Sequence, residues 1–418
     1  MSPTTSQIIA AVFFAIAILH TFSTVYFERL ARSRPAHAGL WHLLGEVEVV
    51  FGFWAALLIA AMAATEGFEP ALEYLDTRNF TEALFVFAIM VIAASRPVLQ
   101  AAQSCIHGVT RALRLPGSAG LYFTLLTITP LLGSLITEPA AMTLAALMLR
   151  ERIFAPWIST RLKYATLGVL LVNVSIGGTL THFAAPPVLM VAHKWQWDLD
   201  FMLHTFGWKA ALAVIINAAA ATALFHRQLA AMPIAPAQES TPIPRSLIAL
   251  HLALLAGVVV CSHHPAVFIG LLLFFLGIAH AYSQFQDRLI LREGMLVAFF
   301  LAGLVVLGGQ QQWWLQPLLM NMGSDAVFVG AAALTAVTDN AALTYLGSLV
   351  EGLTPEFKYA LVSGAVTGGG LTIIANAPNP AGIALLREHF RNGAVSPLYL
   401  FAAALGPTLV AAAAFYFL

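Results

Sequence analysis

Long apolar stretches alternate with short polar segments along the whole chain. The stretches are approximately 7–30, 45–65, 80–96, 117–149, 163–190, 208–225, 246–262, 265–283, 293–309, 325–350, 359–386 and 397–418. Most have about the 20 residues that an α-helix needs to cross the ~30 Å hydrocarbon core of a bilayer. The pattern therefore predicts an all-α integral membrane protein.

The composition agrees with a membrane location and excludes several other classes of protein. Hydrophobic residues make up 60% of the 418 residues and charged residues 10%, against about 25% charged in a soluble domain. The 20 basic and 20 acidic residues cancel, and no basic run indicates a nucleic-acid partner. The two cysteines, Cys105 and Cys261, are too few for a disulfide framework.

The charges between the stretches predict an orientation through the positive-inside rule. Arginines at positions 29, 32 and 34 follow the first stretch, so we expect the N-terminus outside. Arginines lie on both sides of stretch 117–149, at 111, 114, 150 and 152. That stretch would then return to the side it left, as a re-entrant hairpin that turns near Gly133–Ser134.

The same reasoning makes stretch 325–350 a second hairpin, because only then do Arg387 and Arg391 fall inside. The chain then has about ten crossings and two hairpins, with both termini outside. We expect two repeats, 1–225 and 246–418, joined by a cytoplasmic linker at 226–245. Five crossings and one hairpin in each make the halves antiparallel. Inverted repeats with discontinuous helices are typical of secondary transporters.

The two halves also share residues. Thr137–Thr143 (TEPAAMT) matches Thr338–Thr344 (TDNAALT), and Gly177–Thr181 (GGTLT) matches Gly368–Thr372 (GGGLT). Two matched blocks in the same order indicate an internal duplication. The alternative is that small-residue motifs for helix packing arose independently.

Glycines and prolines interrupt one stretch in each half. The pairs and triplets at 177–178 and 368–370 weaken a helix, and prolines from Pro186 and Pro378 onward remove backbone donors. Unwound backbone at membrane depth is tolerated where it lines a cavity or is buried in protein. Its free carbonyls would suit a small cation, whereas exposed helix N-termini would suit an anion. The glycines could also serve close helix packing alone.

Glu138 and Asp339 occupy equivalent places in the two matched blocks. An ionisable residue inside a membrane segment is costly and is a functional hypothesis by default. Inversion would bring both carboxyl groups together near the midplane, where repulsion and burial disfavour the charged forms. Such a group holds either a proton or a sodium ion, which is the physical basis of proton-coupled exchange. The alternative is that Glu138 only caps the second helix of its hairpin and Asp339 only hydrogen-bonds the turn.

The candidate site combines these two carboxylates, as the metal ligands for sodium, with nearby hydroxyl, amide and backbone oxygens. Glu46 and Glu48 are interpreted as interfacial, His182 as a core histidine, and His263–His264 as part of an external turn. The predicted ion-binding residues are Glu138, Thr137, Thr143, Gly177, Gly178, Thr179, Thr338, Asp339, Asn340, Thr344, Gly369, Gly370, Thr372, Asn376 and Asn379.

The block Thr338–Thr344 and the segment from Gly368 to Asn379 resemble the ion transporter superfamily, above all its sodium/proton antiporter branch. The resemblance covers roughly 117–190 and 325–386. It implies an inverted-repeat transporter with two hairpins, a homodimer, and in some members a transport domain that moves against a scaffold. The Ser-Asn-Thr hairpin signatures of the dicarboxylate branch are absent, and Glu138-Pro139 stands opposite Asp339-Asn340, so the half-sites differ.

The sequence thus predicts a sodium/proton antiporter with alternating access, in a bacterial inner membrane. The alternative is a transporter of an organic acid or oxyanion, which the lack of a buried Arg or Lys disfavours; a channel is a third possibility. No phosphate-binding loop, dinucleotide fingerprint or nucleophile elbow occurs. We therefore expect no enzymatic activity and no cofactor, with sodium and protons as transported ions.

Overall fold

A computed structural model describes residues 3–154, 158–233 and 242–418, and no strand occurs in them. The first half contains α1 (Thr5–Thr21), α2 (Thr24–Ser33), α3 (Ala38–Leu44), α4 (Val47–Thr65), α5 (Phe68–Asp76), α6 (Thr81–Ala93), α7 (Arg96–Leu113), α8 (Ala119–Ile136), α9 (Glu138–Arg152), α10 (Thr160–Gly177), α11 (Pro186–Trp195), α12 (Leu199–Met202), α13 (Trp208–Leu224) and α14 (His226–Ala231). The second half contains α15 (Arg245–Val260), α16 (Pro265–Ala281), α17 (Leu291–Gly308), α18 (Gln312–Leu319), α19 (Ser324–Thr335), α20 (Asn340–Ser348), α21 (Pro355–Gly368), α22 (Asn379–Leu386) and α23 (Pro397–Phe417).

Six helices of the described chain are long and apolar enough to cross a membrane, or seven if the bent pair α6 and α7 counts as one span. The angle between α6 and α7 is 67°. Four shorter apolar helices, α1, α15, α16 and α19, accompany them. The predicted all-helical membrane architecture is confirmed at this level. The six helical spans are Val47–Thr65, Ala119–Ile136, Thr160–Leu180, Leu199–Leu224, Leu291–Gly308 and Pro397–Phe417.

The predicted turn at Gly133–Ser134 is wrong, because α8 continues to Ile136 and the chain turns at Thr137. Thr137 has φ 73° and ψ 150°, an unusual conformation for a β-branched residue. Pro139 fixes the turn, since proline fits the first turn of a helix and α9 begins there. Gly133 instead allows close packing of the two arms: a Cβ there would lie 3.3 Å from Ala141 Cβ.

Two other boundaries differ from the hydropathy pattern. The first stretch divides at Phe22–Ser23 into apolar α1 and α2, which carries Arg29 and Arg32. Part of the predicted linker is the helix α14, whose Leu229 carbonyl accepts a 3.0 Å hydrogen bond from the Ser118 amide. The linker's residues 234–241 lie outside the described residues.

The helices form two packed groups. Helices α1, α4, α6, α15, α16 and α17 contact one another, while α8–α11, α13 and α19–α23 surround the two glycine breaks. We call residues 178–185 the first break and residues 369–378 the second break. Helix α9 packs on α22, which follows the second break, and α20 packs on α11, which follows the first. This exchange brings the acidic block of each half against the break of the other.

The second break contacts the first half directly at Gly370. A Cβ on Gly370 would collide with the backbone of Val172 in α10. Only glycine permits this approach of two backbones. The close contact places the buried asparagines of the second break beside the C-terminal end of α10.

Candidate functional site

Glu138 is fully buried where the two halves meet. It is the first residue of α9, so its side chain starts beside the free amides of that helix end. Its Oε2 accepts a 2.8 Å hydrogen bond from Asn376 Nδ2 of the second break. Its Oε1 has no hydrogen-bond partner. One carboxylate oxygen is therefore held across the repeat interface, and the other is available for a proton or a cation.

Gly178 of the first break provides the space for this carboxyl group. A Cβ on Gly178 would lie 2.5 Å from Glu138 Oε1 and 2.7 Å from its Cγ. Ser134 fixes the break nearby, since its hydroxyl donates to the Gly177 carbonyl at 2.7 Å and accepts from the Leu180 amide at 3.0 Å. Gly178, one of the predicted ion-binding residues, thus shapes the pocket of the carboxylate.

Three buried asparagines, Asn340, Asn376 and Asn379, carry side-chain oxygens that have no hydrogen-bond donor. Asn376 and Asn379 each use the Nδ2 atom, whereas their Oδ1 atoms have no partner. Both amide atoms of Asn340 lack one. Unpartnered buried carbonyl-type oxygens are uncommon in proteins, and together with a carboxylate they match the hard oxygen ligands that a small cation prefers.

The second predicted carboxylate, Asp339, shares a cavity with Asn376. Its Oδ1 accepts from the amides of Ala341 and Ala342, at 2.8 and 3.2 Å, and so caps α20. Asp339 and Asn376 line a small cavity of about 30 Å³. The described hydrogen bonds do not join Asp339 to Glu138, although the two are within electrostatic range. Asn376 therefore bonds to one predicted carboxylate and shares a cavity with the other.

Three of the predicted threonine ligands donate their hydroxyl protons to backbone carbonyls. The hydroxyl groups of Thr179 and Thr344 donate to carbonyls within their own turns, at 2.7 Å to Ile176 and at 3.2 Å to Ala341. That of Thr372 donates to the Ala336 carbonyl at 2.8 Å. The bonds of Thr179 and Thr344 hold their own turns, and that of Thr372 joins the second break to the end of α19.

Three further threonines were predicted. Thr338 lines an apolar cavity together with Phe14 and Leu361, away from the asparagines. Thr143 is partly exposed and lies further along α9. The Thr137 hydroxyl is buried without a partner directly before Glu138, which leaves it free to bind a ligand.

The remaining predicted residues hold the second break. Asn379 Nδ2 donates to the carbonyls of Gly369 and Thr372, both at 2.8 Å. A Cβ on Gly369 would lie 2.9 Å from Asn340 Nδ2 and would collide with the Ser175 hydroxyl. The backbone N–H of Asn340 donates to the Ala375 carbonyl at 3.1 Å. Asn340, Asn379 and Gly369 thus belong to one cluster beside α10.

Two polar residues near the site were not predicted. Ser175 in α10 donates to the Val366 carbonyl at 2.7 Å and contacts the second break. Glu48 in α4 lines the cavity of Asp339 and Asn376. A helical periodicity that directed Ser175 and Glu48 toward the acidic blocks would have been the signal for these two residues. Their contacts with the site join distant parts of the chain, so the local sequence does not show them.

The electrostatic environment of the site is acidic. Glu48 and Asp339 line one cavity with Asn376, which is hydrogen-bonded to Glu138. Three carboxylates in succession favour a cation over an anion. No group of three His, Cys, Asp or Glu residues is close enough to hold a metal ion in the described part of the chain, so amide oxygens would have to complete a cation site.

Comparison with known families agrees with this chemistry. A family model described as "Putative Na+/H+ antiporter" matches residues 5–418. The chain belongs to this antiporter family. The resemblance inferred from the Asp339-Asn340 block and the glycine breaks is confirmed. Membership identifies an integral membrane protein whose partners are the lipid bilayer and an inorganic cation. No curated protein matches the chain.

Proposed function

We propose that this member of the antiporter family exchanges sodium ions for protons at Glu138. The observation that carries the proposal is the buried Glu138 carboxyl group with one oxygen held by Asn376 and the other unpartnered. A buried carboxylate without a cation is costly. Binding either a proton or Na+ removes that cost, so the two compete for the same oxygen.

Competition at one carboxylate leads to exchange if the site opens to one side of the membrane at a time. Na+ would be held by Glu138 Oε1 and the free amide oxygens of Asn376 and Asn379. A proton on Glu138 would remove the charge that holds the cation, so Na+ leaves. Because only the occupied forms would change conformation readily, sodium moves one way and protons the other. Asp339 would add negative charge that strengthens cation binding.

The structure offers less support for an anionic substrate. The N-termini of α9 and α20, which could hold an anion, already carry Glu138 and Asp339. Only about 30 Å³ is open beside Asp339, which is room for about one water-sized particle. An organic acid or oxyanion would face carboxylates in a space too small for it.

We further infer two inverted repeats, each with one re-entrant hairpin. The exchanged packing of α9 on α22 and α20 on α11 is what a twofold relation between the halves would produce. Both flanks of the first hairpin contact the same segment: Ser118 donates to the Met232 carbonyl at 3.3 Å, and Ser159 to Gln228 Oε1 at 3.0 Å. That contact supports a chain that returns to its starting side.

We propose that the protein is a homodimer in a bacterial cytoplasmic membrane, with both termini outside and the linker 226–245 inside. These features follow from the family resemblance and from the arginine distribution. They describe the assembly in which alternating access would operate.

Transport by purified protein in liposomes tests the proposal. Addition of Na+ should collapse an imposed pH gradient, and Glu138→Gln or Asp339→Asn should abolish the effect. Glu356→Gln, which changes an exposed carboxylate at the start of α21, is the control and should retain exchange. Full exchange in Glu138→Gln would overturn the assignment, and a wild type inactive with Li+, Na+ and K+ would overturn the function.

A further inference from the structure

Glu48 stands apart from the residues considered so far, because it lies in α4, within the other helix group. It shares a cavity with Asp339 and Asn376, whose walls also include Val297 and Phe300 of α17. Helix α4 packs on α17 and α1. The cavity therefore lies between the helices that carry the breaks and those that surround them.

We propose that Glu48 and Asp339 form a second cation site. Its neutral ligand is Asn376 Oδ1, which this site shares with the Glu138 site. The inference rests on the proposed function, since it assigns a second position to the same exchange reaction. Its ligand is one small cation, either Na+ or a hydrated proton, bound between two carboxylates.

Asn376 supplies the observation that indicates a ligand beyond the acidic pair. The residue is 1% exposed, and it lines the cavity while its Oδ1 has no hydrogen-bond partner. Its Nδ2 is engaged with Glu138 at 2.8 Å. A buried amide oxygen beside two carboxylates lacks a donor, and a cation in the cavity would satisfy all three groups.

The size of the cavity limits the occupant. About 30 Å³ holds about one water-sized particle, so a dehydrated Na+ or a protonated water fits and a molecular substrate does not. Val297, Phe300 and Pro380 contribute apolar surface to its lining. Apolar walls strengthen the attraction between the carboxylates and a cation because they exclude water.

The charges around Glu48 distinguish it from its neighbour Glu46. Glu46 forms an ion pair with Arg292 of α17, whereas Glu48 lines the cavity that Asp339 also lines. Arg292 is thus engaged by Glu46. Glu46 and Glu48 lie at the same end of α4, so Glu46→Gln is a matched control for Glu48→Gln.

The experiment measures the Na+ dependence of exchange in liposomes over a pH series for wild type, Glu48→Gln, Glu48→Asp and Glu46→Gln. We expect Glu48→Gln to raise the half-saturating Na+ concentration about tenfold, the usual loss for one charge-assisted contact. Glu48→Asp should recover part of the affinity, and Glu46→Gln should match wild type. A shift of the pH profile alone would identify the proton as the occupant of the site.

The second site would be overturned if Glu48→Gln and Glu46→Gln showed equal exchange at every Na+ concentration and pH. The Glu138 site would still stand. Thermal unfolding of the full-length protein in NaCl against choline chloride provides an independent readout. If the wild type transports no cation, the proposed function fails. In that case, Na+-dependent stabilisation that Glu48→Gln loses would support the second site, and equal stabilisation in Glu48→Gln and Glu46→Gln would overturn it.

Discussion

At the scale of single residues, the site separates side chains that hold the backbone from side chains that are free to bind. Asn379 and Asn340 are the same residue type, and both are fully buried. Asn379 donates to two carbonyls of the second break, whereas neither amide atom of Asn340 has a partner. A hydrogen-bonded amide stabilises the fold, while an unpartnered amide stabilises it only when a ligand binds.

The two asparagines therefore predict opposite phenotypes. Asn379→Ala should lower the free energy of unfolding by about 2 kcal/mol, because two hydrogen bonds to buried carbonyls are lost. Asn340→Ala should leave stability in Na+-free buffer near that of wild type and should reduce Na+-dependent stabilisation. Thermal unfolding with and without NaCl measures both effects. Equal destabilisation of the two variants in Na+-free buffer would contradict this division of roles.

At the scale of helices, the sequence pattern predicted most elements, and α10 and α21 end at the predicted glycine runs, but one helix and one turn were not predicted correctly. Apolar stretches identified α4, α17 and α23 because each is one uninterrupted span. The amphipathic helix α7 was missed, since its polar face gives it no apolar run. The turn at Thr137 was misplaced because glycine at 133 serves the contact with Ala141 rather than a turn, a role that only packing reveals.

The site was predictable in part for the same reason. The matched blocks identified Glu138, Asp339 and the asparagines, because buried polar residues stand out in apolar sequence. The contacts of Glu48 and Ser175 with this cluster join segments more than a hundred residues apart, and no local pattern encodes them. The predicted role of the threonines stays a prediction, since a hydroxyl group that bonds to the preceding turn keeps lone pairs for a cation.

The contact between α9 and the first break predicts the effect of one methyl group. Gly178→Ala would place a Cβ 2.5 Å from Glu138 Oε1, so the carboxyl group or the break must shift. We expect at least about a hundredfold loss of exchange, comparable to other displacements of about 1 Å at a reacting group. Gly406→Ala in α23 is the control, because a Cβ there meets nothing within 4 Å. Exchange at the wild-type rate in Gly178→Ala would exclude a role for this contact.

At the scale of the whole molecule, each interrupted stretch either crosses the membrane or returns to its starting side. That choice decides on which side of the membrane the following segments lie. Asp325 precedes the second hairpin and Glu356 follows it, and both line one cavity of about 560 Å³. Lys209 of α13 and Tyr416 near the C-terminus line the same cavity. One cavity shared by these positions supports a hairpin that returns to its starting side, with the C-terminus on that side.

Labelling of single cysteines tests this topology. In a background with Cys105→Ser and Cys261→Ser, cysteines introduced at the exposed positions Asp325 and Glu351 flank the second hairpin, and Asp287 and Asp200 serve as inside and outside references. A membrane-impermeant maleimide on intact cells should label Asp325→Cys, Glu351→Cys and Asp200→Cys, but Asp287→Cys only after permeabilisation. Opposite labelling of the two flanking cysteines would make the stretch a single crossing. The two halves would then lose their proposed antiparallel relation, and the proposed twofold relation between the blocks of Glu138 and Asp339 would fail.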